Sequence, residues 1–292
     1  MKTEKLSLAH KELLVERFKK IRCSLSEHSF PNLYLFRETH GHQVIVDGSD
    51  VFVSGNTYDG FRYVMPTTDI RSGNIESLIA VARGHDFIFP VPVEWLPALG
   101  NHGAAAVFSE DDSDYVFTLE KLATYKGRKL HGQKNLLNQF LSVFTPEALP
   151  LTQERMGDAR EILETWQADV GGDKGATDYS PCLEALELYD TLVLCGGIYY
   201  IDKEPAGFVI GEEITPEMFA LHFAKGKRKF KGLYQYMYNH FAKILPRSYA
   251  YLNFEQDLGK LALRTAKSSY DPDRILRKYR VRVAELGSGQ GS

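Results

Sequence analysis

The chain has 292 residues, 43% of them hydrophobic and 25% charged, with a formal net charge of −3. That is the composition of a globular protein long enough for about two domains, and no run approaches the ~20 apolar residues of a membrane-crossing helix. Three cysteines without CxxC spacing and nine scattered histidines without HExxH argue against a disulfide framework or a zinc site.

The first 18 residues set Lys and Glu among their leucines, so they lack the apolar core of a signal peptide, and a cytoplasmic chain is expected. Leu14, Phe18 and Ile21, at i, i+4 and i+7, predict a helix. Residues 43–55 read as a hairpin turning at Asp47-Gly48, 61–66 as a strand and 74–84 as a helix ending at Gly84. His40 and His42, flanking Gly41, read as a turn. Residues 86–95 are extended but broken by Pro90 and Pro92, which predicts an edge or irregular strand. A strand and a long helix follow over 114–144. Pro146 and Pro150 then suggest a linker, dividing the chain into domains 1–148 and 149–286 with a flexible tail over 287–292.

In the second half, helices are expected over 152–168 and 181–189 and strands over 191–201 and 204–214, joined by the turn Asp202-Lys203. A strand over 218–226 leads to a helix whose inner face carries Leu233, Met237, Phe241 and Ile244. A strand over 249–257, a helix over 258–269 and a last strand over 275–285 complete the chain. Charge is uneven here. From His222 to Arg282 there are 15 Lys and Arg against 4 acidic residues, a net +11, leaving −14 for the remainder. This points to an anionic partner for the segment, or to a solvated basic face.

The order α-α-β-β-β-α-β-α-β is that of the GNAT acyltransferases, and the first half repeats it more loosely. The chain resembles the phosphatidylglycerol lysyltransferase C-terminal-domain-like family, tandem GNAT proteins related to Fem-type aminoacyl-tRNA-dependent ligases. The resemblance lies in SEHSFPNLYLFR (26–37), DYVFTLEKLATYKGRKLHGQKNLLNQF (114–140), HFAKGKRKFKGLYQYMYNHFAK (222–243) and NFEQDLGKLALRTAKSSYDPDRILRKY (253–279). It implies an α/β (α+β) fold of two tandem GNAT-like domains, mixed sheets flanked by helices, with the working site in the C-terminal half.

The loop 225–232 enters a helix N-terminus with Lys227, Arg228, Lys229 and Lys231, an arrangement suited to phosphate. In GNAT enzymes this loop, Gln/Arg-x-x-Gly-x-Gly/Ala, holds the coenzyme A pyrophosphate. Lys229 matches the first place and Gly232 the glycine, while Tyr234 stands where a small residue belongs and would crowd that cofactor. Lys260, Arg264 and Lys267 share one helix face, with Asp257 as an N-cap and Leu258, Leu261 and Ala262 towards the core. Such a stripe can grip phosphates or steady an oxyanion, or can simply be solvated.

The resemblance implies that Tyr270 protonates a leaving group and that Lys267 offsets charge on the donor ester. Tyr270 as a packed aromatic is the alternative. Glu255, near the end of a strand, suits a general base, with Glu212 and Glu213 as competitors, and Asn253 suits an acyl carbonyl. Lys134 and Asn135 sit on the helix joining the halves, which lines a cleft or acts as a strut. The expected activity is transfer of an aminoacyl group from aminoacyl-tRNA to an amine or hydroxyl, with no permanently bound cofactor or metal and with substrate at a membrane surface allowed. The alternatives are a coenzyme A-dependent N-acyltransferase and a non-catalytic anion- or RNA-binding module.

Overall fold

The computed structural model describes residues 1–100 and 105–282, so the tail expected over 287–292 lies outside the described residues. The chain forms two compact units. One spans Met1–Ser113 and resumes at Leu276; the other is Asp114–Ile275. The division therefore falls at 113/114 and again at 275/276, rather than once at 148. The reason is local. Residues 146–150 form an edge strand, where proline removes no needed ladder bond.

In the first unit, strands β1 (Lys2–Lys5), β2 (Gln43–Asp47), β3 (Asp50–Asn56), β4 (Arg62–Pro66), β5 (Phe87–Val91) and β6 (Ala105–Phe108) accompany five helices. These are α1 (Lys11–Ile21), α2 (Phe30–Leu35), α3 (Arg37–His40), α4 (Ile75–Ala82) and α5 (Leu96–Gly100). The second unit holds β7 (Asp114–Thr118), β8 (Pro146–Pro150), β9 (Cys195–Ile201), β10 (Glu204–Thr215), β11 (Met218–Gly226), β12 (Tyr251–Asn253) and β13 (Arg274–Leu276). Its helices are α6 (Leu119–Thr124), α7 (His131–Val143), α8 (Met156–Val170), α9 (Tyr179–Glu187), α10 (Leu233–Ile244) and α11 (Leu261–Ser268). Strand β14 (Tyr279–Arg282) then returns to the first unit.

Each unit is built on a seven-stranded sheet, ordered β1-β2-β3-β4-β5-β14-β6 and β13-β7-β12-β11-β10-β9-β8. Both repeat one pattern. Four antiparallel strands meet a parallel junction, β4 with β5 or β11 with β12, and two further strands complete the sheet. These are mixed α/β units of tandem GNAT type. In both sheets the strand beside the junction, β14 or β7, comes from beyond the sequence of the unit's other strands. The single strand expected over 275–285 is accordingly two strands, β13 and β14, in different sheets.

Three local readings change. β5 is central, between β4 and β14, so only its irregularity agrees with expectation: its pairing with β14 slips between Tyr279 and Val281, at the stretch where Pro90 offers no N–H. On α10, Leu233, Met237 and Phe241 are buried as periodicity requires, but Ile244 is exposed in the last turn. On α11 no residue is buried, and Leu261, expected in the core, is 76% exposed. The hairpin at Asp47 forms as read, with Gly48 at φ +60°.

A candidate site where two parallel strands part

β11 and β12 pair through only three positions, Met218–Tyr251, Phe219–Leu252 and Ala220–Asn253. β12 then stops while β11 runs on to Gly226. A sheet that parts between parallel strands exposes backbone and side chains to a ligand, and here charged groups gather.

A bulge aims the first of them. The β10–β11 register jumps from Ile210–Phe223 to Gly211–Leu221, so His222 has no partner on β10. Gly211 permits this, because a Cβ there would lie 1.9 Å from the Ala220 carbonyl oxygen. The His222 ring is fully buried, with Nδ1 2.7 Å from Glu255 Oε1 and Nε2 3.0 Å from Glu212 Oε1. Burial alone would drive its pKa down, but the two carboxylates outweigh burial and push it up to about 10. At neutral pH His222 is an imidazolium donating from both nitrogens.

Glu255 sits at φ +58°, an unusual conformation for its type. Its N–H donates to Asn253 Oδ1 at 2.7 Å, and Asn253, itself buried, donates Nδ2 to Asp114 at 3.0 Å. Asn253 thus shapes the turn, with both ends of its amide committed, rather than facing an acyl carbonyl. Lys267 Nζ donates to the carbonyls of Glu255 (3.2 Å) and Gln256 (2.5 Å). Asp257 is fully buried and accepts from Tyr115 (2.6 Å), Arg264 Nε (2.8 Å) and the Gly259 N–H (2.8 Å). Burial would raise its pKa, but these donors hold it below the ordinary carboxylate value. Asp257 is not the helix cap, a place taken by Lys260 without a side-chain cap bond. Of the expected basic stripe, Arg264 and Lys267 reach this cluster, while Lys260 is exposed.

Tyr270 lies in the core of the second unit, its ring 5.4 Å from that of Tyr238 and 6.0 Å from that of Tyr125. Burial holds its proton far more tightly than an ordinary phenol's. Glu213, the remaining carboxylate candidate, accepts from the Tyr249 hydroxyl at 2.5 Å.

The loop before α10 departs from an anion cradle. Lys225 pairs with Asp178 (2.6 Å), Lys227 with Glu161 (2.7 Å) and Glu204 (2.9 Å), and Lys229 with Glu204 (2.6 Å). The Arg228 N–H and guanidinium both bond Asp169. Gly232, at φ +92°, faces α7: a Cβ there would lie 2.6 Å from the Leu136 carbonyl oxygen and 2.8 Å from Phe140 Cβ. Tyr234 is half-buried, and burial pushes its phenol up to about 12. The cationic excess of 222–282 is thus met internally at many points, including Lys278 by Glu27 and Arg280 by Asp112 and Asp59 in the first unit.

On α7, Lys134 and Asn135 are exposed, and Asn135 reaches along its own helix to His131. The inward residue is Gln133, which donates to Ser269 (2.8 Å) and accepts from Gln235 (2.9 Å). α7 is thereby a packed part of the second unit. Sequence reasoning missed His222 and Gln133; Gly211 inside an apolar run was the available sign of a bulge.

The first unit carries a cleft of about 550 Å³ beside α1 and the start of α4. Its lining cations are engaged, Arg17 with the Ser49 carbonyl and Lys20 with Glu16. Among the described residues no His/Cys/Asp/Glu group suits a metal ion, and no helix is long and apolar enough to cross a membrane.

Residues 18–282 match the family described as "Phosphatidylglycerol lysyltransferase, C-terminal". The fold is similar to that of a conserved protein of unknown function from Bacteroides thetaiotaomicron VPI-5482, with 23% identity, 97% of this chain and 99% of that one covered, and a TM-score of 0.83. L-PGS from Bacillus licheniformis matches at 14% identity, TM-score 0.59, over 94% of this chain and 93% of that one. FemX matches at 8% identity, TM-score 0.58, over 97% and 98%. Two tandem units of this kind define a GNAT-like acyltransferase. Within that class, the chain belongs to the phosphatidylglycerol lysyltransferase C-terminal family.

Proposed function

We propose that the second unit transfers an aminoacyl group from the ester of an aminoacyl-tRNA to an amine or hydroxyl acceptor. The observation that carries this reading is the start of α10. Where GNAT enzymes hold the coenzyme A pyrophosphate, this chain packs Gly232 against α7 and pairs the loop cations with its own carboxylates. A pyrophosphate there would have to displace backbone and compete with formed ion pairs. An ester donor makes no such demand. The family's own description, phosphatidylglycerol lysyltransferase, agrees with transfer of an aminoacyl group.

In the transfer, the acceptor attacks the ester carbonyl. A C–N or C–O bond forms, the C–O bond to the tRNA ribose breaks, the acceptor loses a proton and the ribose oxygen gains one. Glu255, at the mouth of the parting strands, is the acceptor's base. Lys267 supplies positive charge for the oxyanion. Tyr270, held in the core, is a packing residue in this scheme.

The test is paired. Calorimetry with acetyl-coenzyme A is expected to give no binding at low micromolar concentration, and aminoacyl-tRNA is expected to be turned over with suitable amines. Lys267→Ala should slow single turnover about 100- to 1000-fold. Stoichiometric coenzyme A binding would return the assignment to a coenzyme A-dependent N-acyltransferase. Binding of tRNA without turnover would favour a non-catalytic module.

A further inference from the structure

We infer that His222 is a positioning residue for Lys267, acting through Glu255 and the backbone of residues 255–256. The inference rests on the reading of Lys267 as the group that steadies charge during transfer. His222 and Lys267 are joined by a chain of contacts. The imidazolium holds the Glu255 carboxylate, Asn253 holds the Glu255 N–H, and the Glu255 and Gln256 carbonyls hold the Lys267 ammonium. Glu255 is therefore fixed at its side chain, its amide and its carbonyl.

Such fixing is needed. A glutamate at φ +58° is strained and keeps that conformation only where its surroundings over-determine it. Relaxing to negative φ would rotate the adjoining peptides and carry the two carbonyls away from Lys267. Glu212 serves as the second anchor of the ring, setting its plane from β10. The bulge at Gly211 aims the ring between the two carboxylates. His222 is not a base, because an imidazolium donating from both nitrogens has no lone pair to accept a proton.

Trace acetylation with acetic anhydride at pH 8, quantified residue by residue, tests this with a readout independent of turnover. In His222→Gln, labelling of Lys267 should rise several-fold, while exposed Lys19 stays unchanged. Glu212→Gln keeps the Glu255 contact and should give a smaller rise; it also serves if His222→Gln fails to fold. Wild-type labelling of Lys267 in either folded variant overturns the inference. With aminoacyl-tRNA, His222→Gln should slow single turnover at least 10-fold. Altered Lys267 labelling in a protein that transfers no aminoacyl group would leave the positioning intact and defeat the proposed function.

Discussion

Gly232→Ala probes the feature that separates this chain from a coenzyme A enzyme. Two costs add. At φ +92° a side chain is in a conformation that L-residues avoid, worth roughly 1–2 kcal/mol. The new methyl would also lie 2.6 Å from a backbone oxygen of α7 and 2.8 Å from Phe140 Cβ, and neither is the end of a flexible side chain. Overpacking of this kind costs roughly 1–3 kcal/mol. The sum is about 2–5 kcal/mol. Gly172→Ala in the same unit is the control, since it has φ +81° and nothing within 4 Å of its Cβ position. It should cost the backbone part alone. Urea unfolding of the two variants measures the difference directly. If Gly232→Ala is no less stable than Gly172→Ala, α7 does not fill the cradle, and the main objection to coenzyme A disappears.

Asp112→Ala leaves Arg280, only 5% exposed, with Asp59 alone, and should destabilise the first unit by about 3 kcal/mol; unchanged hydrogen exchange in β14 would count against that pairing. His222 has a folded pKa near 10 against an ordinary 6.5. Its contribution to stability is therefore complete below about pH 6.5 and fades as pH rises through 10, so His222→Gln should flatten the alkaline stability curve by a few kcal/mol. Lys267→Ala should unfold within about 1 kcal/mol of wild type, having lost two carbonyl contacts and no core packing; a larger loss would make Lys267 structural.

The order of elements was readable because helices such as α10 and strands such as β10 and β11 carry strong apolar periodicity. What escaped depends on three dimensions. The basic run from 222 to 282 looked like an anion site because its counter-charges, Glu161, Asp178 and Glu204, lie elsewhere in sequence. Glu255 could be nominated from its place near a strand end, but its bond to His222 follows from a one-residue slip that no pattern of hydrophobicity encodes. Lys134 and Asn135 stood out by type, whereas the buried neighbour Gln133 makes the contacts. The proline pair at 146 and 150 was read as a linker because proline also suits an edge strand.

The placement of β7 and β14 bears on synthesis. As the chain leaves the ribosome, residues 1–108 supply six of the seven strands of the first sheet, yet the position between β5 and β6 stays empty until Tyr279–Arg282 emerges. The second sheet has all its strands once Leu276 is out. The part of the protein made first is thus finished last, and the unit bearing the candidate site is complete before it. Until then β5 and β6 present unpaired edges to the cell, a window in which the nascent chain is open to mispairing or to chaperones.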